Sequence, residues 1–161
     1  VYGVSPYGLA KRLGMDVKET RKVIEAYLET YKNVQEYIAT TKEFARKNGY
    51  VKTLFGRRRE IPQINSKDQN IRAEGERIAI NTPIQGTAAD IMKIAMINIY
   101  ERMKKENLKS LMILQVHDEL VFEVPEDEVE IMKEIVKFEM ENAVKLRVPL
   151  TVDIYVDKYM I

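Results

Sequence analysis

Residues 111–124 read LMILQVHDELVFEV. Two apolar runs, residues 111–116 and 120–124, flank a polar segment at residues 117–119. Short apolar runs that are bounded by polar residues are typical of buried strands. The stretch therefore predicts two buried antiparallel strands joined by a polar hairpin tip.

The polar tip, His117-Asp118-Glu119, contains no residue that favours a tight turn. Two-residue hairpin loops prefer Asn-Gly, Asp-Gly or another pair with glycine, because the favoured turns need positive φ. Local rules of this kind are broken most often at functional sites, so the tip is a candidate site. Adjacent carboxylates suit Mg²⁺, which proteins bind through one or two carboxylates together with substrate phosphates. A solvated tip without function and an acid–base role for His117 remain open on these residues alone.

The chain before the hairpin predicts two long helical regions. Asp16 begins a capping box, and apolar residues then recur every three or four positions up to Asn48. These features predict one long helix that ends at Asn48. A second helical region covers residues 68–105. We expect Pro83 to interrupt it at residues 81–83, because proline has no backbone donor.

The remaining segments complete the predicted fold. Residues 50–65 carry Gly56 and Pro62, which predict short strands and turns. Acidic residues in a first turn predict a helix over residues 126–145. Residues 148–156 alternate between apolar and polar side chains, as in a strand. The fold class that follows is α+β, with long helices packed on a small antiparallel sheet.

Composition excludes several classes of site. The chain has 161 residues, no cysteine and one histidine. Disulfides, thiolate zinc sites, a cysteine nucleophile and a multi-histidine metal cage are therefore excluded. No apolar run approaches the roughly 20 residues that cross a bilayer, so we expect no membrane partner. The sequence starts at Val1 with neither a methionine nor a signal peptide, and we expect a piece of a longer protein.

Charge is distributed unevenly, although the formal net charge is +1. Nine basic and four acidic residues lie between positions 46 and 77, whereas ten acidic and two basic residues lie between 118 and 141. The basic region includes an arginine triplet at residues 57–59, directly after Gly56. Arginine offers planar, bidentate donors that suit a phosphate backbone. The basic region thus indicates nucleic-acid contacts, while the acidic region is interpreted as solvated helix faces.

Four ordered motifs resemble one protein family. The segment QVHDELV, residues 115–121, resembles the C-terminal catalytic motif of family A (DNA polymerase I-type) DNA polymerases. Three other segments are similar to motifs of the same family, in the same order: VYG at 1–3, TLFGRRR at 53–59, and AEGER at 73–77 with NTPIQGTAAD at 81–90. The similarity covers nearly the whole chain.

The resemblance implies a DNA-directed DNA polymerase that acts in DNA replication and repair in the cytoplasm, as part of a larger enzyme. Such an enzyme extends a primer with two magnesium ions about 3.5–4 Å apart. Asp118 would be the metal-binding carboxylate of this chain, and Glu119 would assist near the metals. The family's second metal-binding aspartate lies in a D-Y-S-x-I-E-L-R motif that this sequence lacks, so we expect the isolated chain to be inactive. The implied partners are primer-template DNA, deoxynucleoside triphosphates and the missing remainder of the polymerase.

The resemblance also implies which residues contact DNA. His117 and Gln115 would lie against the primer terminus, and Tyr2 would stack at the template position. Arg59 would contact a phosphate. Three further side chains would reach the minor groove and backbone of the nascent duplex: Arg77, Asn81 and Gln85. The resemblance assigns residues 1–47 to the distal fingers and residues 48–161 to the C-terminal palm.

Three of these residues also have plain structural roles open to them. Asn81 could cap a helix, Gln85 could be an ordinary surface residue, and Tyr2 could be a core aromatic. Two further functions are open for the whole chain. One is a module that binds duplex nucleic acid without chemistry, and the other is a metal-dependent nuclease that uses the same carboxylates.

Overall fold

The structure is a computed structural model of the chain and describes residues 5–158. The helices are α1 (Pro6–Leu13), α2 (Val17–Thr30), α3 (Lys32–Asn48), α4 (Gln69–Lys105) and α5 (Val129–Glu141). The strands are β1 (Tyr50–Lys52), β2 (Arg58–Glu60), β3 (Leu111–Val116) and β4 (Glu119–Glu123), and short 3₁₀ turns lie at Pro62–Asn65 and Glu126–Glu128. The predicted α+β class is confirmed, but the strands form two separate two-stranded sheets rather than one. No helix within this range is long and apolar enough to cross a bilayer.

The long helix predicted from Asp16 to Asn48 is two helices, α2 and α3, separated at Tyr31. Asp16 caps α2 as predicted, because its Oδ1 atom accepts a hydrogen bond from the backbone nitrogen of Lys18 at 2.7 Å. Tyr31 leaves the helical region, with φ −106° and ψ 66°. Its carbonyl oxygen then starts a new ladder by accepting from the backbone nitrogen of Val34 at 2.9 Å. The apolar spacing continues across the break, so periodicity alone predicts one helix.

Helix α4 runs without interruption through Pro83, so the predicted break at residues 81–83 is wrong. Proline removes one backbone donor from the helical ladder. A donor from another helix lies close to this gap, because the hydroxyl of Tyr37 donates to the carbonyl oxygen of Ile80 at 2.8 Å. Burial raises the pKa of Tyr37, which keeps this hydroxyl protonated. In a regular helix the donor that Pro83 lacks would pair with the carbonyl oxygen of Ala79, so the Tyr37 hydrogen bond lies beside this gap and does not fill it.

The chain divides into two compact units between Thr87 and Ala88, inside α4. The first unit has a core of apolar side chains from α3, the first hairpin, the 3₁₀ turn and α4: Ala45, Val51, Ile61, Ile64 and Ala79. Lys42 and Arg46 of α3 form ion pairs with Glu76 of α4, with nitrogen–oxygen distances of 2.8 and 2.6 Å. The hydrogen bond from Lys42 lowers the pKa of Glu76, which keeps the carboxylate ionised at neutral pH.

The second unit packs the β3–β4 hairpin with α5 and the end of α4. Its core consists of five buried side chains: Ile99, Met103, Met132, Ile135 and Val136. The hairpin is antiparallel, with Leu111 opposite Glu123 and Val116 opposite Glu119. The predicted hairpin is therefore confirmed, and its register sets which residues form the tip.

Three expectations for this unit are wrong. Strand β3 is not a buried strand, because four of its apolar side chains are exposed: Leu111, Ile113, Leu114 and Val116. Residues 148–156 form no strand, and no strand within residues 5–158 pairs with them. The backbone nitrogen of Val152 instead donates to the carboxylate of Glu141 at 3.1 Å. Helix α5 also ends at Glu141 rather than near residue 145.

Candidate functional site

The acidic tip is a two-residue turn, not the three-residue tip that the sequence predicted. Glu119 is the first residue of β4 and pairs with Val116, which leaves His117 and Asp118 as the turn. His117 has a φ of 53°, the positive value that favoured two-residue turns need at their first position. A residue with a side chain costs about 1–2 kcal/mol there. The Nε2 atom of Gln115 donates to the carbonyl oxygen of His117 at 3.1 Å, and this hydrogen bond supports the turn.

Asp118 and Glu119 present exposed carboxylates at this tip. Carboxylate oxygens are the ligands that Mg²⁺ prefers, and Mg²⁺ commonly keeps waters and substrate phosphates as its other ligands. The two side chains fit a partial magnesium site of that type. Among residues 5–158, no group of three or more His, Asp or Glu side chains comes together as a metal cage. The tip can therefore supply ligands to an ion that further groups must also bind.

A buried carboxylate fixes the start of the strand that leads to this tip. Glu128 is 8% exposed and accepts hydrogen bonds from the backbone nitrogens of Lys109 and Ser110 at 2.8 and 2.9 Å. The hydroxyl of Ser110 also donates to it at 2.6 Å. These hydrogen bonds, chiefly the one from the backbone of Lys109, lower the pKa of Glu128. The sequence alone places Glu128 among solvated acids, because nothing local separates it from its acidic neighbours.

The arginine triplet lies on the β1–β2 hairpin of the first unit. The turn between these strands is closed by a hydrogen bond from the backbone nitrogen of Thr53 to the carbonyl oxygen of Arg57 at 2.9 Å. Gly56 has a φ of 82° in this turn, a conformation that glycine adopts without steric cost. Arg58 lies over the ring of Tyr50, with its Cζ atom 4.6 Å from the ring centroid. The predicted strands and turn at residues 50–65 are confirmed.

The turn of this hairpin docks on α4. Hydrogen bonds connect the two elements, among them Leu54 N to Thr87 Oγ1 at 2.9 Å, Arg57 Nη2 to Gly86 O at 3.1 Å, and Arg59 Nη1 to Thr82 Oγ1 at 3.3 Å. Gly86 permits the approach, because a Cβ atom at this position would lie 2.7 Å from the Cγ2 atom of Thr53. Sequence reasoning missed this role of Gly86, which stands out only as part of a motif. A glycine inside a helical pattern is the signal that could have indicated the close packing.

Three predicted DNA contacts lie four residues apart on α4: Arg77, Asn81 and Gln85. Residues at this spacing share one side of a helix. Arg77 and Gln85 are exposed and Asn81 is half-buried. Asn81 lies inside α4, so a role as a helix cap is wrong. Tyr2, which was predicted to stack at the template position, lies outside the described residues.

Three features are together typical of proteins that act on nucleic acids. They are the exposed carboxylate turn at residues 117–119, the arginine hairpin (residues 50–60) and the polar stripe on α4 (Arg77, Asn81 and Gln85). The family model for DNA polymerase family A matches residues 1–160 of the chain. The chain therefore belongs to DNA polymerase family A, and the resemblance predicted from its motifs is confirmed.

Individual relatives agree with this assignment. The DNA polymerase I of Caldicellulosiruptor bescii is 56% identical over 154 residues, which cover 96% of this chain and 18% of that protein. The thermostable DNA polymerase I of Thermus filiformis is 48% identical over 158 residues, which cover 98% of this chain and 19% of that protein. The chain thus spans less than a fifth of the length of these relatives.

A solved structure is similar throughout most of the chain. It is the POL domain of Pol1 from M. smegmatis in complex with DNA primer-template and dNTP. The TM-score is 0.89 at 44% identity, and the match covers 92% of this chain and 26% of that chain. The fold of this chain is therefore the fold of part of a polymerase domain.

Proposed function

We propose that the chain is part of a DNA-directed DNA polymerase that adds deoxynucleotides to the 3′ end of a primer. The observation that carries the proposal is the exposed pair Asp118 and Glu119 at a two-residue turn. Relatives named DNA polymerase I, and a similar domain in complex with primer-template and dNTP, support it. In this proposal residues 1–47 belong to the fingers and residues 48–161 to the palm.

Asp118 would bind magnesium in this enzyme, and Glu119 would assist beside it. A pair of such ions stabilises the attacking and leaving oxygens of nucleotidyl transfer. The β3–β4 register fixes the backbone on both sides of Asp118, so the carboxylate needs little ordering when its partners bind. His117 and Gln115, which share a hydrogen bond, would lie against the primer terminus.

The first unit would bind the duplex. Arg59 would contact a phosphate, and its hydrogen bond to Thr82 uses only one of the five donors of its guanidinium. Three side chains would reach the minor groove and backbone: Arg77, Asn81 and Gln85. Minor-groove acceptors are nearly the same for every base pair, so such contacts can test the shape of a pair without reading sequence. Tyr2 would stack at the template position.

The isolated 161-residue chain should not polymerise. Asp118 and Glu119 form one carboxylate cluster, and one cluster does not hold two metal ions in line with a substrate. The D-Y-S-x-I-E-L-R motif that would supply the second aspartate is not in the sequence. Incorporation of a labelled nucleotide by the purified chain alone would contradict this expectation.

Asp118→Asn in a full-length polymerase tests the proposed function. A suitable parent is the C. bescii enzyme with this chain in place of its own 154 matching residues. Asparagine keeps the size of the side chain but removes its charge. Replacing a residue that only supports a metal ligand costs about 10–100-fold in activity, so replacing the proposed ligand itself should lower turnover by more than about 100-fold. We expect the affinity for primer-template to stay roughly unchanged. Glu123→Gln is the control, because Glu123 is an exposed acid at the other end of the same hairpin.

Two different outcomes would favour the competing functions. Lost binding with retained turnover in Asp118→Asn would support a module that binds duplex nucleic acid. The basic region (residues 46–77) and Gln85 fit such a module, since phosphate contacts supply most nonspecific affinity. Cleavage of duplex by the parent chain in the presence of magnesium would support a nuclease.

A further inference from the structure

We propose that Thr87 is a positioning residue for the DNA contacts of the first unit. Its hydroxyl sets the position of the arginine hairpin, residues 50–60, on helix α4. The inference rests on the proposed function, because it concerns how Arg59 and Gln85 meet the same duplex.

The Thr87 hydroxyl acts as both donor and acceptor. It donates to the carbonyl oxygen of Pro83, one turn earlier in α4. It also accepts from the backbone nitrogen of Leu54 at 2.9 Å. A hydroxyl has one proton and two lone pairs, so donating to Pro83 leaves the oxygen able to accept from the hairpin. Valine at this position would keep the shape of the side chain and lose both hydrogen bonds.

Hydrogen bonds hold the turn of the hairpin on α4, beside the close approach of the Thr53 methyl group to Gly86. Leu54 is 65% exposed, so its side chain adds little apolar burial to the hydrogen bond that its backbone makes with Thr87. The guanidinium groups of Arg57 and Arg59 also donate to α4. A turn that moves away from Thr87 therefore also moves the arginines that follow it.

The surface of α4 that binds the hairpin (Thr82, Gly86 and Thr87) and the polar stripe of predicted DNA contacts (Asn81 and Gln85) are neighbouring faces of the same helical turns. Thr82 and Gly86 follow Asn81 and Gln85 by one residue each, and one residue turns a helix by about 100°. Displacement of the hairpin would change the distance from Arg59 to Gln85 without altering either side chain. A phosphate contact and a groove contact on one duplex both require that distance to be fixed. Groups fixed before binding also lose less freedom when they bind.

The test compares Thr87→Val with Thr87→Ser in the same full-length chimaera. The measurements are affinity for a primer-template duplex at several salt concentrations, and kcat at saturating DNA. Each phosphate contact contributes about 0.9 to the slope of log affinity against log salt. We expect Thr87→Val to lower this slope by about one and to weaken binding by roughly tenfold at low salt. Thr87→Ser should restore the parent slope, and the effect on affinity should exceed the effect on kcat.

Thr30→Val is the matched control. Thr30 makes the same bond to a carbonyl four residues earlier, from its Oγ1 atom to the oxygen of Ala26 at 2.8 Å. It lies in α2 rather than beside the hairpin on α4, so its replacement removes a helical back-bond alone. We expect no change in salt slope. An equal loss of slope in Thr30→Val and Thr87→Val would overturn the positioning role.

A double-mutant cycle separates positioning from general destabilisation. If Thr87 acts through Arg59, then Arg59→Gln and Thr87→Val should each lower the salt slope by about one, and the double variant should lower it no further. Should Thr87→Val fail to fold by circular dichroism, Thr87→Ala replaces it, because alanine also lacks the hydroxyl that accepts from Leu54 and suits a helix better than valine. An unchanged slope in the folded variant, or a loss that Thr87→Ser does not restore, refutes the inference. Failure of the proposed function is distinguishable, since Asp118→Asn would then retain turnover whatever the hairpin variants do.

Discussion

The substitution Gly75→Ala should destabilise the first unit, even though alanine is a better helix former than glycine. Gly75 is buried in α4, where the helix packs against the 3₁₀ turn Pro62–Asn65. A Cβ atom at this position would lie 2.9 Å from the backbone nitrogen of Ile64 and 3.0 Å from its Cα atom. Favourable contacts between heavy atoms begin near 3.5 Å, so one of the two backbones would have to move by roughly 0.5 Å.

Two opposing effects set the size of the change. Alanine gains about 1 kcal/mol of helix propensity over glycine. Overpacking costs about 1–3 kcal/mol, and the upper end applies because the contacted atoms are backbone. Ile64 cannot easily move, since it is only 2% exposed and its nitrogen donates to the carbonyl oxygen of Ile61 at 3.1 Å. The expected net loss in the free energy of unfolding of the first unit is about 2 kcal/mol.

Amide hydrogen exchange at Ile61 measures this loss. The nitrogen of Ile61 donates to the carbonyl oxygen of Gly49 at 2.8 Å, so its exchange reports opening of the unit. Glu74→Gly and Glu74→Ala provide the control at the exposed neighbouring position. These two variants should differ by about 1 kcal/mol in favour of alanine. If Gly75→Ala slows exchange at Ile61, the steric argument is wrong and helix propensity dominates.

Three other substitutions test the second unit. Ile135→Ala empties a fully buried position and should lower the free energy of unfolding by about 2–5 kcal/mol in urea titrations followed by circular dichroism. His117→Gly should raise it by about 1 kcal/mol in the same titrations, because glycine adopts positive φ without steric cost. Glu128 has a lowered pKa, so its stabilising contribution is present at neutral pH and is lost as the pH falls below about 4.3. Thermal melts of Glu128→Gln should show lower stability at neutral pH and a shallower decline in acid, and a decline as steep as the parent's would refute the role of Glu128.

Local chemistry is enough to predict the elements that depend on neighbouring residues. Asp16 caps a helix, and Gly49 ends one with a φ of 77°, because both effects act within a few residues. The β3–β4 hairpin is also predictable, from two apolar runs that are close in sequence. The polar residues His117 and Asp118 do form the turn, and His117 has a positive φ there, whereas the functional role inferred from them stays a prediction.

The failures share a dependence on distant residues. The continuation of α4 through Pro83 is accompanied by a hydrogen bond from Tyr37, which is 43 residues from its acceptor Ile80. A strand over residues 148–156 would require a pairing partner, and alternation within the segment cannot show whether one exists. The docking of Leu54 on Thr87 joins residues 33 apart. Periodicity and turn chemistry describe single segments, so they cannot reveal such contacts.

The stacking of Arg58 on Tyr50 makes the three adjacent arginines chemically unequal. The ring of Tyr50 also meets Phe44 edge-on, with 5.6 Å between ring centroids. Lysine at position 58 would preserve the charge but lose the flat surface that covers the ring. In a laboratory evolution experiment, selection for altered DNA affinity would therefore act on position 58 through the aromatic pair. At positions 57 and 59 it would act through their attachment to the neighbouring helix.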